Sequence, residues 1–171
     1  AGTGFLAELV QQEEAEALRA EQASDGAVRV CLARTGLVMA RTGGAFGKLL
    51  PLIKLGLGGP LGSGRQWWSW ITLDDEVSAL LHLATTAEVR GPVNLCAPNP
   101  ARNGELVRAL AGVARRPALL PAPSFALRAV VGEFSDDILA STRMAPEALR
   151  RSGFHWAHPD LDGAALWLLD R

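Results

Sequence analysis

The sequence predicts an α/β fold that is organised around a parallel sheet. Residues 28–33 form an apolar segment with too little alternation for a solvent-facing sheet, which favours a central strand covered by helices on both faces. A second strand-like segment, residues 93–96, is joined to the first through helical patterns. That order is typical of the right-handed crossover between parallel strands.

Length and composition limit the classes of function. The 171 residues are 49% hydrophobic, which suffices for one core or for one core and a small lobe. A net charge of -1 with scattered arginines provides no field for nucleic acid or for a membrane surface. No stretch approaches the roughly 20 apolar residues of a membrane span. We therefore expect neither kind of partner.

The two cysteines and the N-terminus bear on location. Cys31 and Cys96 lie in apolar segments without metal-type spacing, so we expect free thiols in a reducing compartment, the cytoplasm. The N-terminus lacks the pattern of a signal peptide. Because the chain begins with Ala1 and not with Met, we expect its natural start to lie upstream.

The first predicted element is a helix over residues 4–23, where apolar residues recur near helical spacing. Residues 2–7 also match the glycine pattern of a dinucleotide-binding turn, and Asp25 lies about where an acid would meet the ribose. That turn works only between a strand and a helix. No strand precedes it here, so we interpret the match as an ordinary helix start.

The next stretch carries glycines and tryptophans. Residues 41–59 predict a short helix ended by glycines, and residues 62–64 predict a tight turn. Residues 66–73 predict a strand with Trp68, Trp70 and Thr72 on one face and Trp67, Ser69 and Ile71 on the other. Asp74 or Asp75 is predicted to cap a helix over residues 76–84.

The part of the chain that follows the second strand is predicted to be mainly helical. Asn103 is predicted to cap a helix over residues 104–114, residues 119–149 are predicted to be mostly helical, and Pro146 is placed in the first turn of a further helix. We divide the chain into a domain of residues 1–115 and a small helical domain of residues 116–171.

Familiar catalytic patterns are scarce. His155 and His158 have metal-ligand spacing, but Pro159 indicates a loop and no third ligand is suitably spaced, so no metal site is expected. A serine hydrolase would need a Gly-x-Ser-x-Gly elbow, which the sequence lacks. His82 lies among leucines and is interpreted as a packed or surface histidine.

Four segments carry a resemblance to a known family. The longest is Gly-Leu-Gly-Gly-Pro-Leu-Gly-Ser-Gly-Arg-Gln-Trp-Trp-Ser-Trp-Ile-Thr-Leu-Asp-Asp at residues 56–75, and the others are residues 32–39, 91–100 and 116–123. Together they resemble the C-terminal portion of NAD(P)-binding epimerase family proteins, which are atypical extended short-chain dehydrogenases/reductases related to nucleotide-sugar epimerases. The resemblance implies a Rossmann-like fold with a small helical lobe, without its N-terminal dinucleotide-binding half.

The resemblance implies a cofactor, NADP or NAD, beside the loop that leaves the first strand. In extended dehydrogenases the corresponding segment passes the nicotinamide. The residues carried over are Arg34, Thr35, Gly36, Leu37 and Val38, with Val38 as the foremost backbone contact. The alternative is a plain exit from the strand, with Arg34 in a structural ion pair.

A substrate pocket is the second implied site. Large rigid rings at Trp67 and Trp70, with polar groups at Ser63, Gln66 and Ser69, are suited to lining a cleft for a small-molecule substrate. The alternative is that the tryptophans only fill the core.

Two functions stay open. One is the C-terminal half of an NAD(P)-dependent oxidoreductase or epimerase that acts on a small or nucleotide-linked substrate; the other is a catalytically silent nucleotide-binding or interaction protein. The chain contains no tyrosine, and Leu6 and Val10 stand where the resemblance would put the Tyr/Lys pair, so no catalytic residue is assigned. We expect the segment alone to be inactive and, through the edge of its strand at residues 28–33, to self-associate.

Overall fold

The computed structural model describes residues 4–118 and 139–170. These residues form an α/β fold, as predicted, with six helices and six short strands. The helices are α1 (Phe5–Ala23), α2 (Gly44–Lys54), α3 (Leu73–Thr85), α4 (Asn103–Val113), α5 (Glu147–Arg151) and α6 (Leu161–Leu169). The strands are β1 (Cys31–Thr35), β2 (Leu37–Met39), β3 (Trp67–Trp68), β4 (Trp70–Thr72), β5 (Gly91–Leu95) and β6 (Ala101–Arg102).

The predicted parallel pairing is confirmed. β1 pairs with β5 from Cys31 opposite Gly91 to Thr35 opposite Leu95, and β2 pairs in parallel with β4. β3 and β6 form an antiparallel pair. The first strand begins three residues later than the predicted range of 28–33; before it, the guanidinium of Arg29 donates to the carbonyls of Leu83 and Ala84 at the end of α3.

Helix α1 lies at the periphery. Its range agrees with the prediction, and it follows Gly4, whose φ of 104° is in the region that favours glycine. Residues 2 and 3 of the glycine pattern lie outside the described part of the chain. None of the helix residues is buried. Polar contacts hold the helix instead, chiefly from Glu14 to Arg34 and from Glu21 to the backbone N–H of Val30.

Helix α2 ends as predicted. Gly56 has a φ of 75°, and its N–H donates to the carbonyl of Ile53. Pro51 lies inside the helix and supplies no N–H to it. Four apolar residues of the helix are buried: Phe46, Leu49, Leu50 and Ile53.

The predicted cap of α3 was wrong. Thr72 is the N-cap, and its hydroxyl accepts from the N–H of Asp75, so the helix begins at Leu73. Asp75 is only 1% exposed and has another partner, since its carboxylate accepts from the N–H groups of Ala157 at 2.7 Å and His158 at 3.1 Å. The carboxylate that the sequence pattern predicted to cap α3 therefore binds the backbone of a loop that is distant in sequence.

The predicted cap of α4 was also wrong. Asn103 is the first helical residue, with Arg102 as the N-cap. The side-chain Oδ1 of Asn103 accepts from the N–H of Leu61 at 2.8 Å, so it binds the turn before β3 and not its own helix.

The C-terminal part contains two short helices. Pro146 is the N-cap of α5, one position before the predicted first turn, and Asp160 caps α6 by accepting from the N–H of Gly163. Most of the predicted helical stretch of residues 119–149 lies outside the described residues. His155 and His158 lie between α5 and α6, and the described residues hold no group of three side chains suited to a metal ion.

Two apolar clusters flank β4. Trp70 belongs to a cluster with side chains of α2, α4 and α6, whereas the neighbouring Ile71 belongs to one with β5 and α5. This alternation follows from the pleat of the strand, as predicted. Both cysteines are free, and burial raises the pKa of the Cys96 thiol to about 11. Among the described helices none is long and apolar enough to cross a bilayer.

Candidate functional site

A cavity of about 290 Å³ opens where β1 ends and β2 begins. One wall comes from the β1–β2 junction, a second from β3 with Ser69, and a third from the segment before α5. The lining residues are Thr35, Gly36, Leu37, Ala45, Trp67, Trp68, Ser69, Ala140, Thr142 and Met144. The carboxyl ends of parallel strands are where open α/β sheets bind ligands, so this cavity is the candidate site.

Gly36 makes the strand junction possible. Its N–H donates to the carbonyl of Leu95 at 2.9 Å, whereas the next N–H, that of Leu37, donates to the carbonyl of Ser69 at 2.7 Å. The chain thus changes partner strand at Gly36. A Cβ at this position would lie 2.2 Å from the Ser69 carbonyl oxygen, closer than two such atoms approach. Only glycine allows this crossing, which places Thr35 and Leu37 on the cavity wall.

Ser69 attaches the opposite wall. It is buried, its hydroxyl donates to the carbonyl of Thr142 at 2.8 Å, and it accepts from the N–H of Met144 at 2.7 Å. The N–H of Thr142 in turn donates to the carbonyl of Trp67. Ser69 lies at the break between β3 and β4, and its side chain binds the segment that contains Thr142 and Met144. The break is therefore the point at which the third wall of the cavity is attached.

Two arginines contact the ring of Trp67. The guanidinium carbons of Arg102 and Arg143 are each 4.7 Å from the centroid of its ring. Arg102 also donates from Nη1 to the carbonyl of Arg65. Cation–π contacts of this length are favourable and restrict the indole, which borders the cavity.

A buried carboxyl lies behind Thr35. The Thr35 hydroxyl donates to Oε1 of Glu76 at 2.8 Å, and Glu76 is only 6% exposed. Its Oε2 is buried and has no hydrogen-bond partner among the residues that the structure describes. Burial raises the pKa of Glu76, although the bond from Thr35 lowers it somewhat. The cavity wall is thus linked through one hydroxyl to a group that retains its proton to higher pH than an ordinary glutamate.

The five residues carried over as a cofactor loop separate into two groups. Thr35, Gly36 and Leu37 line the cavity. Arg34 instead forms two bonds of 2.7 Å with Glu14, the structural ion pair that was the alternative interpretation, and Val38 packs against the cluster around Ile71. The bond from Arg34 lowers the pKa of Glu14.

The five residues of the implied substrate pocket also separate. Trp67 and Ser69 line the cavity, whereas Trp70 is completely buried in the core. Gln66 is buried and donates to the carbonyl of Leu61. Ser63 is exposed and accepts from the N–H of Arg65 within the predicted turn.

Sequence reasoning missed the third wall and the charged groups. Thr142 and Met144 lie more than 70 positions from the serine that binds them, and Arg102 lies 35 positions from Trp67. No local pattern signals contacts at that separation. Glu76 carried one usable signal, since a glutamate in the first turn after a strand lies beside the carboxyl ends of neighbouring strands.

Comparisons with known proteins identify similar sequences. The family described as "Domain of unknown function (DUF1731)" matches residues 122–168. The epimerase family protein ML0860 of Mycobacterium leprae is 43% identical over 172 residues, which cover 100% of this chain and 55% of that protein.

Two solved structures share the fold. Human epimerase family protein SDR39U1 (isoform 2), crystallised with NADPH, superposes with a TM-score of 0.79 at 33% identity over 82% of this chain and 48% of that one. The nucleoside-diphosphate sugar epimerase of Corynebacterium glutamicum gives a TM-score of 0.69 at 31% identity over 98% of this chain and 31% of that one. The fold is therefore part of a Rossmann-like epimerase fold, and the chain spans about half the length of the relatives it matches. This chain corresponds to the C-terminal part of the epimerase family proteins.

Proposed function

We propose that this chain forms the C-terminal half of an NAD(P)-dependent oxidoreductase or epimerase, and that the cavity at Gly36 receives the nicotinamide together with a small or nucleotide-linked substrate. The observation that carries the proposal is the cavity itself. It brings together residues from the end of a parallel strand and the tryptophan-rich segment, the two regions that the resemblance implied. The NADPH bound by the human relative supports the choice of cofactor.

The residues of the cavity fit one end of such a cofactor. A volume of about 290 Å³ lies at the lower limit of ligand pockets, so it admits a ring and a small group and not a whole dinucleotide. The Thr35 hydroxyl directs its proton at Glu76, so its lone pairs are left to accept a bond from an amide such as a carboxamide. Thr35, Gly36 and Leu37 would hold the nicotinamide. When bound, the nicotinamide supplies or takes up a hydride.

The protein's own groups would position the reactants and exclude water. Trp67 and Trp68 supply apolar walls, and Ser69 fixes the segment at Thr142. Glu76 is linked to the cavity through the Thr35 hydroxyl, and because burial raises its pKa it would keep a proton beside the site to higher pH than an ordinary glutamate.

Filling the cavity tests the proposal. Ala45→Leu adds three carbons to a residue that lines it, and Ala84→Leu makes the same change on an exposed face of α3 as a matched control. In the full-length protein we expect NADPH to bind at least about 10-fold more weakly to the Ala45 variant, a loss of ~1.4 kcal/mol, and with unchanged affinity to the control. Equal affinities in a fluorescence titration would contradict the placement of the nicotinamide.

The segment alone should bind the cofactor poorly. The resemblance assigns the glycine-rich turn that holds the pyrophosphate to the other half of the protein. Isothermal titration of NADPH should therefore give a roughly millimolar dissociation constant for the 171-residue chain and a micromolar one for the full-length protein, a gap of ~4 kcal/mol. Micromolar binding to the isolated, monomeric segment would contradict this assignment.

Self-association of the segment is a related proposal. Among the described residues β1 pairs only with β5, which leaves its other edge open to a second chain. Light scattering should therefore give a mass above the monomer's 18.1 kDa that rises with concentration. A strictly monomeric chain at all concentrations would show that this edge is covered.

A catalytically silent nucleotide-binding or interaction protein is the second candidate. It is favoured by the absence of tyrosine from the whole sequence and by the two exposed apolar residues, Leu6 and Val10, at the positions where the family resemblance would put the Tyr/Lys pair. The two candidates differ in whether the full-length protein catalyses a reaction with its cofactor. A full-length protein that binds NADPH but never oxidises it with any carbonyl substrate of a broad panel belongs to the silent class.

A further inference from the structure

We propose that the cavity takes an apolar aldehyde or ketone, or the matching alcohol, and not a hydroxyl-rich sugar. The inference rests on the proposed function, because it names the substrate class of the same cavity. Its starting point is the chemistry of the walls, since none of the described lining residues has a charged side chain and most have an apolar or aromatic one. These apolar and aromatic residues are Leu37, Ala45, Trp67, Trp68, Ala140 and Met144.

On the wall at the strand junction, the backbone donors are already used. The N–H of Gly36 donates to the carbonyl of Leu95 at 2.9 Å, and the N–H of Leu37 donates to the carbonyl of Ser69 at 2.7 Å. Each N–H has a single hydrogen to donate. Neither residue therefore contributes a backbone donor to a ligand in the cavity.

The donors of the opposite wall are also used. The N–H of Thr142 donates to the carbonyl of Trp67 at 3.1 Å, and the N–H of Met144 donates to Oγ of Ser69 at 2.7 Å. The Ser69 hydroxyl directs its own proton at the carbonyl of Thr142, at 2.8 Å. These bonds build the wall, and they leave none of the three groups to donate to a ligand.

Two further hydroxyls lie in the walls. The Thr35 hydroxyl donates to Oε1 of Glu76, so it can only accept a bond from a ligand. Thr142 is bonded through its backbone alone among the described residues, so its hydroxyl remains able to donate. One donor suits one carbonyl oxygen. A sugar ring, which carries a hydroxyl on most of its carbons, needs several.

This arrangement disfavours a sugar in the cavity. A hydroxyl that leaves water without finding a partner in the protein loses its hydrogen bonds, so its burial is unfavourable. A ring without hydroxyls loses none, and its burial against apolar walls is favourable. An apolar pocket discriminates against one added hydroxyl by up to about 100-fold. We therefore expect a clear preference for the apolar ring.

The test compares rings of similar size. Cyclohexanone and cyclohexanol are the apolar probes. The polar probes are myo-inositol, the same carbon ring with a hydroxyl on every carbon, and the sugar galactose. Each probe is titrated by calorimetry into the full-length protein, with and without NADPH.

Variants connect the binding to the cavity. Met144→Gln replaces an apolar side chain of the wall with a polar one of similar size, whereas Met144→Leu keeps it apolar; both retain the N–H that binds Ser69. Thr142→Val removes the hydroxyl and keeps the shape of the side chain. Leu166→Gln makes an apolar-to-polar change at an exposed residue of α6 and is the matched control.

We expect cyclohexanone to bind the wild type with a roughly millimolar dissociation constant, at least about 10-fold more tightly than myo-inositol or galactose. Its affinity should fall about 10-fold in Met144→Gln, because the polar group is buried against the ligand. The loss should be smaller in Met144→Leu, several-fold in Thr142→Val and absent in Leu166→Gln. Melting curves that match the wild type show that a variant still folds.

Three outcomes overturn the proposal: neither apolar ring binds, myo-inositol or galactose binds as tightly as cyclohexanone, or the affinity for cyclohexanone is unchanged in both Met144→Gln and Thr142→Val. NADPH affinity is measured separately on the same protein. A protein that binds NADPH and galactose but neither apolar ring contradicts the substrate class alone. One that binds cyclohexanone but not NADPH contradicts the proposed function alone.

Discussion

Strand β4 and helix α1 both carry apolar side chains in a regular pattern, yet their surroundings in the structure are opposite. Trp70, Ile71 and Thr72 of β4 are completely buried, whereas α1 has no buried residue and Phe5 is 78% exposed. β4 is held by two apolar clusters, and α1 by charged side chains at Glu14 and Glu21. A periodic pattern of apolar residues therefore predicts that a helix or strand forms. It does not predict that the apolar side chains are buried by other residues of the same 171-residue chain.

The largest expected contrast is between a tryptophan of β4 and a phenylalanine of α1. Trp70→Ala should lower the free energy of unfolding by about 3–5 kcal/mol, since it removes a fully buried ring. Phe5→Ala should change it by less than about 0.5 kcal/mol in the 171-residue chain. Urea denaturation followed by circular dichroism measures both.

The same pair distinguishes the segment from the whole protein. A cost of several kcal/mol for Phe5→Ala in the full-length protein, with none in the segment, would show that the other half of the protein covers α1. An equally large cost in both would contradict the exposure of α1.

A second contrast lies within α3, between two adjacent aspartates. Asp75→Ala should lower the free energy of unfolding by about 2–4 kcal/mol, because it leaves the N–H groups of Ala157 and His158 without an acceptor. Asp74→Ala is the control: its side chain is 61% exposed and only approaches the ring of His158, at 3.7 Å. Thermal unfolding compares them, and similar losses for the two variants would contradict the role given to Asp75.

Glu76→Gln should change how stability depends on pH. Burial raises the pKa of Glu76 above its ordinary value of 4.5, so between the unfolded and folded pKa values the native state binds more protons and stability falls as pH rises. The glutamine variant lacks this loss, so its melting temperature relative to wild type should increase with pH above about 4.5. Glu88→Gln, at an exposed residue, is the control. A constant difference across the pH range would contradict the raised pKa.

The smallest effect should come from the pair that attaches α1 to β1. Arg34 is 49% exposed, so its coupling to Glu14 in a double-mutant cycle should be about 0.2–1 kcal/mol and should fade in roughly 1 M salt. Arg34 lowers the pKa of Glu14, so this contribution is present above the unfolded pKa and is lost as pH falls through the folded one. A coupling of several kcal/mol that is insensitive to salt would show that other contacts fix the helix.

The elements that the sequence predicted well depend on local chemistry. Gly56 ends α2 because it adopts a positive φ, and the strand order follows from the alternation of strands and helices. The caps at Asp75 and Asn103 were predicted wrongly for the opposite reason. Each side chain has a stronger partner elsewhere, at Ala157 and at Leu61, and sequence spacing carries no information about such partners.

The candidate site shows the same division. Thr35 to Leu37 and the tryptophan-rich segment were found because each is a local pattern that matches a family. Their meeting at Ser69, and the approach of Arg143 to Trp67, depend on contacts 73 to 76 positions apart, which only the folded chain displays. Trp70 and Trp67 are three positions apart in one predicted strand, yet one fills the core and the other borders the cavity.

The bonds at Ser69 have a consequence for how the cavity fluctuates. The N–H of Leu37, the N–H of Met144 and the carbonyl of Thr142 all end on this one residue, so neither wall moves away without breaking the contacts that hold the other. Local opening at such a junction is cooperative. In native-state hydrogen exchange the amides of Leu37 and Met144 should therefore share one opening free energy, although they lie on opposite walls.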